Sequence, residues 1–200
     1  MKLVEPSFEI LNISGDLKTI EQAARTCYKS EDKITEGSSE KLVQNLISRG
    51  HGAMLEFVSV SVRIITDRGV SHELVRHRIA SFAQESTRYV NYKGGVEFIE
   101  PLSIIEGPKD CQQTFRKTCS DIEKAYVYFI ANGLKPQDAR SILPCCTKTE
   151  IVIMMNVREW RHFFSLRCSK AAHPEMRRIT IPMLAEFQKR IPIVFENLSL

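Results

Sequence analysis

The chain has 200 residues, of which 43% are hydrophobic and 26% are charged, and its formal net charge is +4. This length is typical of one domain, so we predict a single domain over residues 1–200. The apolar fraction is large enough for a hydrophobic core without disulfides or metals, which argues against a disordered chain.

The sequence lacks the segments typical of exported or membrane-spanning proteins. Its N-terminus has no apolar stretch long enough for a signal peptide, and no run approaches the roughly 20 apolar residues of a membrane helix. The six cysteines form no Cys-x-x-Cys pair and have no nearby histidines at zinc-ligand spacing. We therefore expect reduced thiols, no bound metal and a cytoplasmic protein.

Hydrophobic spacing predicts the elements of the first half of the chain. Helices are expected over residues 17–29, 38–48 and 70–79. Ser38 or Ser39 could cap the second helix, and Gly50 could end it in a left-handed turn. Residues 57–65 alternate between apolar and polar side chains, a pattern that predicts a half-buried strand.

The second half is predicted to be mainly helical. Helices are expected over residues 110–132, 136–143, 157–166 and from 174 onward, and Pro182 should kink or break the last one. Residues 149–155 fit either a buried strand or a core helix. Strands mixed with helices predict an α/β (α+β) fold, with a mixed sheet flanked by helices.

The densest basic segment begins with Arg76-His77-Arg78 and continues to Arg88. On a helix, Arg76 and Arg78 would diverge by about 200° and could not serve one ligand atom. If residues 86–90 are extended, Ser86 and Arg88 share a face, and a hydroxyl beside a guanidinium suits a phosphate monoester. The alternative is a solvated helix face followed by a loop.

Several other polar residues are ambiguous in isolation. His51 could be an ordinary surface histidine, and Arg167 could interact with a helix C-terminus. Arg140 could pair with Asp138 or Glu150. No Ser-His-Asp order, carboxylate pair or glycine-rich phosphate loop stands out, so a bound nucleotide or flavin would be held by other means.

Five motifs resemble those of the flavin-dependent thymidylate synthases. The family signature is Arg-His-Arg, seven residues, then Ser, and the chain has it from Arg76 to Ser86. Further elements match in the family's order: His51 to Glu56, Asp138 to Pro144, Asn156-Val157-Arg158 with Leu166-Arg167, and Ala172 to Arg177. The similarity spans about residues 18–190.

This resemblance implies an enzyme that converts dUMP to dTMP. FAD would be the cofactor, with 5,10-methylenetetrahydrofolate as carbon donor and NADPH as reductant, in a homotetramer with composite active sites. The implied dUMP contacts are Glu73, Arg76, Gln84, Glu85, Ser86, Thr87, Arg88, Arg140 and Arg167. The implied FAD contacts are Ala53, Arg76, His77, Arg78, Gln84, Asn156, Arg158 and His162. His51 and Glu56 would lie near the flavin and folate edge.

Arg167 is the implied catalytic residue. Its guanidinium near N3 and O4 of the uracil would favour the ionised base and raise electron density at C5. Reduced flavin would supply a hydride, methylenetetrahydrofolate the carbon, and NADPH would reduce the flavin again. No cysteine need attack the base.

The chain departs from the family pattern at several positions. The usual Asn-Glu before the signature Ser is Ala83-Gln84, and the usual Gln before Arg-His-Arg is Glu73, which must avoid a phosphate, pair with Arg76 or be protonated. Other departures are Ala53, where a hydroxyl residue is common, Phe57 in place of His, and His162 in place of Asn. These changes leave the arginines intact.

Two other functions fit parts of the sequence. The basic residues between Arg158 and Arg190 could bind nucleic acid, but few aromatic residues lie among those around Arg76, so we expect no nucleic-acid partner and no membrane partner. A flavin- or nucleotide-binding module that has lost catalysis is the second alternative, and the altered Ala83-Gln84 pair favours it.

Overall fold

The computed structural model describes residues 1–198, which form strands and helices in mixed order. The strands are β1 (Lys2–Leu3), β2 (Ser7–Ser14), β3 (Ser59–Asp67), β4 (Ser81–Gln84), β5 (Glu97–Phe98) and β6 (Lys148–Asn156). The four-stranded sheet has the order β2-β3-β6-β4, and β1 pairs in parallel with β5 in a separate two-stranded sheet. The predicted α/β (α+β) class is confirmed.

Nine α-helices are found in the described residues: α1 (Leu17–Tyr28), α2 (Ser38–Ser48), α3 (Arg68–Leu74), α4 (Leu102–Ile105), α5 (Lys109–Ala131), α6 (Pro136–Ala139), α7 (Val157–Arg167), α8 (Pro174–Arg190) and α9 (Pro192–Phe195). Three short 3₁₀ helices cover Glu31–Lys33, Gly52–Phe57 and Arg140–Ile142. Within residues 1–198, none of these helices combines the length and apolar character needed to cross a bilayer.

The described chain divides into two compact units. Unit 1 contains Met1–Ser7, Ile64–Arg76 and Ala83–Val152, and unit 2 contains Phe8–Arg63, His77–Phe82 and the described residues from Ile153 onward. The single-domain assignment made from length stays a prediction.

The core of unit 1 forms around one face of α5. Cys119 and Tyr126, seven residues apart on this helix, are buried together with Phe98 of β5 and Ala139 of α6. A seven-residue spacing places both α5 side chains on the same side of a helix, which explains why they share the core. Gly133 follows the helix with a φ of +88°, a conformation that favours glycine.

The core of unit 2 is aromatic and is centred on α7. Trp160, Phe163 and Phe164 pack with Phe187 of α8 and Phe195 of α9, at ring-centroid distances of 5.0 to 5.9 Å. Aromatic pairs at such distances contribute about 0.5–1.5 kcal/mol each beyond simple burial. The packing fixes the position of α7, and therefore of the polar side chains that this helix carries.

Most of the predicted elements are confirmed. Val58, just before β3, and Val60, Val62 and Ile64 within it follow the expected alternation and are buried. Residues 149–155, which the sequence left open between strand and helix, belong to β6. Gly50 has a left-handed φ of +71° after α2, as predicted.

Two predictions about helix ends are wrong, and one about Pro182 is wrong in part. Gly37, with a φ of +74°, is the N-cap of α2, and the Ser38 hydroxyl instead bonds to Thr35 and Glu21. Helix α3 ends at Leu74 rather than near Ile79, because the Arg76 amide donates to the Glu73 carbonyl in a tighter turn. Pro182 lies inside α8, which continues to Arg190, so the predicted break is wrong and the kink stays a prediction.

The early end of α3 overturns the argument from helical rotation. Arg76 and Arg78 lie after the helix, so the expected divergence of about 200° around a helix axis does not apply to them. Residues 86–90 are not extended either, since the amides of Tyr89 and Val90 donate to the Ser86 carbonyl at 3.1 and 2.9 Å. This segment is a turn.

Candidate active site

The turn after β4 in unit 1 carries a hydroxyl and a guanidinium close in sequence. The Ser86 hydroxyl accepts a hydrogen bond of 3.3 Å from the backbone amide of Arg88. The Arg88 side chain is exposed, with its guanidinium carbon 5.3 Å from the centre of the Tyr89 ring. The turn, rather than an extended strand, therefore brings the Ser86 hydroxyl to the backbone of Arg88.

A second arginine of unit 1 reaches the same turn. Arg140 donates from Nη1 to the Thr87 hydroxyl at 3.4 Å. Arg140 thus contacts the residue next to Arg88 in the chain, and both arginines are exposed.

Glu85 anchors the start of this turn through both its backbone and its side chain. Its amide donates to the Glu150 carbonyl at 2.8 Å, and its carbonyl accepts from Arg68 at 2.9 Å. Its carboxylate accepts from the Tyr92 hydroxyl at 2.5 Å and from Lys148 at 3.1 Å. Burial, followed by the Glu85 carboxylate, raises the pKa of Tyr92, so its hydroxyl remains a donor.

The other predicted nucleotide contacts of unit 1 have different settings. The Gln84 amide donates to the hydroxyls of Ser71 and Thr149 at 2.9 and 3.1 Å. Gln84 and Lys148 both line a cavity of about 470 Å³. The side-chain oxygen of Gln84 is an uncharged hydrogen-bond acceptor. Glu73 is half-buried and Arg76 is exposed.

Unit 2 contains a separate cavity of about 380 Å³. It is lined by Ala24, Cys27, Tyr28, Leu46, Gly50, His51, Gly52, Ala53, Met54 and Arg158. Three residues implied by the resemblance, His51, Ala53 and Arg158, therefore lie at one cavity. Apolar and aromatic walls with a single cation suit a flat aromatic ring system that carries polar edges.

Among the residues that line this cavity, Arg158 bonds to Glu56. Its Nη1 donates to the Glu56 carboxylate at 2.6 Å, and both side chains remain exposed. A Cβ at Gly52 would lie 3.1 Å from the Arg158 side chain, so glycine leaves room for the arginine. Glu56 thus acts on the cavity through Arg158.

Asn156, Arg78 and His162 have less direct placements. The Asn156 side chain caps α7 by accepting from the Glu159 amide at 2.9 Å. Arg78 is exposed. His162 is also exposed, and its ring centre is 6.3 Å from that of His77.

His77 is buried in unit 2, and both of its ring nitrogens have partners on α7. Arg167 donates from Nε to Nε2 at 3.0 Å, and Nδ1 lies 3.2 Å from the Glu159 carboxylate. Burial is the main cause that lowers the pKa of His77, the Glu159 carboxylate opposes it, and the Arg167 cation adds to it. The neutral ring is therefore favoured.

Comparison with known proteins agrees with these motifs. Residues 9–193 match the family described as "Thymidylate synthase complementing protein". A flavin-dependent thymidylate synthase of Geobacter sulfurreducens is 35% identical over 88% of this chain and 78% of its own, and one of Pyrococcus furiosus is 36% identical over 87% and 75%. This chain belongs to the flavin-dependent thymidylate synthase family.

A solved structure of a similar fold supports this membership. It is the crystal structure of a UMP/dUMP methylase, PolB, from Streptomyces cacaoi bound with 5-Br dUMP. The TM-score is 0.83 with 25% sequence identity, over 98% of this chain and 96% of that one. The fold expected of a flavin-dependent thymidylate synthase is thus confirmed.

The sequence did not predict the residues that hold the candidate binding residues in place. Lys148, Tyr92 and Arg68 hold Glu85, and Glu159 contacts His77. A signal existed for Glu159, because it precedes Phe163 and Arg167 at four-residue intervals, which is one face of a helix. The sequence contains no such signal for Lys148, because residues 149–155 fitted either a strand or a helix.

Proposed function

We propose that this chain methylates C5 of dUMP to give dTMP, as a flavin-dependent thymidylate synthase. The observation that carries the proposal is the turn at Ser86–Arg88 in a chain of this family, where the Ser86 hydroxyl accepts from the Arg88 backbone amide and Arg140 bonds to Thr87. Charged bidentate donors next to a hydroxyl suit the phosphate of a nucleoside monophosphate.

In this proposal the nucleotide contacts are mainly residues of unit 1. Arg88, Ser86 and Arg140 bind the phosphate, and Arg76 reaches both the nucleotide and the flavin. Thr87 positions Arg140 through the hydrogen bond described above. Glu73, Gln84 and Glu85 complete the proposed nucleotide environment, with the Glu85 carboxylate acting through the turn that it anchors.

The flavin, FAD, is proposed to bind mainly to residues of unit 2. Its contacts would include Ala53 and Arg158 at the 380 Å³ cavity, with His77, Arg78, Asn156 and His162. Gln84 is proposed to contact both the flavin and the nucleotide. His51 and Glu56 would lie toward the folate. The cavity walls fit a planar ring system, and Arg158 offers a donor to its polar edge.

Arg167 is the proposed catalytic residue. Uracil is a poor carbon nucleophile, and a cation near N3 and O4 stabilises the ionised base and shifts electron density to C5. When bound, the flavin supplies the hydride that reduces the one-carbon unit delivered by 5,10-methylenetetrahydrofolate, while the C5 proton is released. The roles left to the chain are to bind the phosphate, orient the base and hold the charge.

We extend the proposal to the assembly and the co-substrates. NADPH would reduce the flavin, and four chains would form a homotetramer in which each active site draws residues from several copies. The expected partners are small molecules, and the expected compartment is the cytoplasm. Because the similar Streptomyces cacaoi protein is called a UMP/dUMP methylase, both UMP and dUMP are candidates to be compared as substrates.

Anaerobic incubation with dUMP, 5,10-methylenetetrahydrofolate and NADPH tests this proposal. The expected product is thymidylate, formed only when flavin is bound and all three reactants are present. Protein that binds FAD and dUMP but forms no thymidylate would favour the second candidate, a binding module without catalysis, which the Ala83-Gln84 departure supports. Colourless protein that also fails to bind added FAD would contradict both.

A further inference from the structure

One face of α7 surrounds the ring of His77. Glu159, Phe163 and Arg167 follow one another at four-residue intervals and therefore lie on the same side of the helix. The ring of His77 meets Phe163 edge to face, with a centroid distance of 4.9 Å. Glu159 and Arg167 contact its two nitrogens from either side.

The chemistry of these groups fixes the direction of both hydrogen bonds. The Arg167 guanidinium has only donors, so His77 Nε2, at 3.0 Å from Nε, must accept and carries no hydrogen. The hydrogen of the neutral ring is then on Nδ1, where the Glu159 carboxylate accepts it at 3.2 Å. Arg167 thus donates to His77, and His77 donates to Glu159.

We propose that Glu159 is a positioning residue that acts on Arg167 through His77. Its carboxylate holds the ring in the tautomer with hydrogen on Nδ1, which keeps Nε2 as the acceptor that orients the Arg167 guanidinium. Without Glu159 the hydrogen is free to move to Nε2, where it would face the N–H of Arg167 and remove the bond. This inference rests on the proposed function, in which Arg167 acts on the uracil ring.

Protonation of His77 would have the same effect as the wrong tautomer. A doubly protonated ring has no acceptor for Arg167. The charged or titratable groups that face His77 are Glu159, His162 and Arg167, all from α7. Because burial lowers the pKa of His77, we expect the contact with Arg167 to persist below the ordinary histidine range and to break only at more acid pH.

Nuclear magnetic resonance of ¹⁵N-histidine-labelled protein reads the tautomer without any turnover. The chain has five histidines, and a His77→Gln variant identifies the resonances of His77. In FAD-loaded protein we expect hydrogen on Nδ1 and none on Nε2, and in Glu159→Ala a shift of the hydrogen toward Nε2. Hydrogen on Nε2 in the unmodified protein, or no change in Glu159→Ala, would overturn the proposal.

Kinetics then test the consequence for Arg167. Glu159→Ala should lower kcat by roughly ten- to thirtyfold, the range expected for one lost charge-assisted hydrogen bond, with little change in KM for dUMP. Glu159→Gln, which can still accept from Nδ1, should recover most of kcat at neutral pH. In Glu159→Gln the fall of kcat at acid pH should occur at lower pH, because the carboxylate charge that favours protonated His77 is gone.

Glu21→Gln is the matched control. Glu21 is a buried carboxylate of unit 2 that bonds to Arg25 and Ser38, outside the candidate site, and we expect unchanged kcat and an unchanged pH profile. Equal losses in Glu159→Ala and Glu159→Gln, with a lower melting temperature and an unchanged tautomer, would mean a structural role only. Failure to form thymidylate would contradict the proposed function, while the labelled spectra would still test the tautomer.

Discussion

The two units hold their candidate arginines in different ways. In unit 1, Arg88 lies on a turn and Arg140 on a short 3₁₀ helix, both are exposed, and the turn is fixed through the neighbouring Glu85. In unit 2, Arg167 ends an eleven-residue helix, and its guanidinium donates to a buried histidine. On the proposed function, we therefore expect the exposed arginines of unit 1 to contribute to dUMP affinity. In unit 2 we expect the exposed Arg158 to contribute to FAD affinity and the held Arg167 to contribute to turnover.

Among the substitutions, replacing Arg167 should have the largest effect, and it should act on turnover rather than on binding. We expect Arg167→Ala to lower kcat by about 10²–10³-fold, the range for losing a preorganised donor that stabilises developing charge, with a much smaller effect on dUMP binding. Anaerobic single-turnover rates and equilibrium dialysis measure the two effects. Arg190→Ala, an exposed arginine paired with Glu186, is the control. Small and equal losses in rate and binding would remove the catalytic role of Arg167.

Replacing Arg88 should have the largest effect on nucleotide affinity. We expect Arg88→Ala to weaken dUMP binding by about 1.5–3 kcal/mol, since a hydrogen bond to a charged phosphate is lost. Flavin content should stay unchanged. Lys124→Ala removes one exposed positive charge from the same unit and should leave dUMP affinity unaffected. Unchanged affinity in Arg88→Ala would exclude Arg88 from the nucleotide site.

Replacing Arg158 should produce the complementary effect in unit 2. Arg158→Ala is expected to weaken FAD binding by about fivefold to tenfold, because Arg158 and Glu56 are exposed and an exposed pair contributes little by itself. Flavin absorbance after gel filtration measures the loss. Arg49→Ala, an exposed arginine of the same unit, serves as the control. Full flavin retention in Arg158→Ala would contradict the assignment of the cavity.

Replacing Lys148 should have the smallest effect, and it tests whether the contact with Glu85 helps to hold the turn. The Glu85 carboxylate accepts from Tyr92 and Lys148, and Lys148→Met removes the second of these bonds. We therefore expect dUMP affinity to fall by roughly threefold to fivefold with flavin retained. Lys117→Met, on an exposed pair with Asp121, is the matched control. If dUMP affinity does not change, the anchoring of the turn by Glu85 does not depend on Lys148.

The sequence predicted regular elements well where side chains repeat with one period. The alternation in β3 and the apolar spacing in α5 and α7 each reflect burial of one face, which a single sequence records. Breaks between elements were less predictable. The end of α3 and the turn after β4 depend on backbone hydrogen bonds such as those from Arg76 to Glu73 and from Tyr89 to Ser86, which side-chain patterns do not record.

The sequence predicted the arginines of the candidate site but not the residues that hold the site in place. Family motifs identify Arg88, Arg140 and Arg167 by type and spacing alone. Lys148 and Tyr92 meet Glu85 only because β6 is a strand and the chain turns after β4. Such contacts join residues distant in sequence, and no local pattern indicates them.

The most direct test of the division between the units is a crossed binding measurement. Dissociation constants for FAD, and for dUMP in saturating FAD, would be measured on Arg88→Ala and Arg158→Ala in parallel with the unmodified protein. The account predicts that Arg88→Ala weakens only dUMP binding and that Arg158→Ala weakens only FAD binding. Equal weakening of both ligands by either substitution would contradict it.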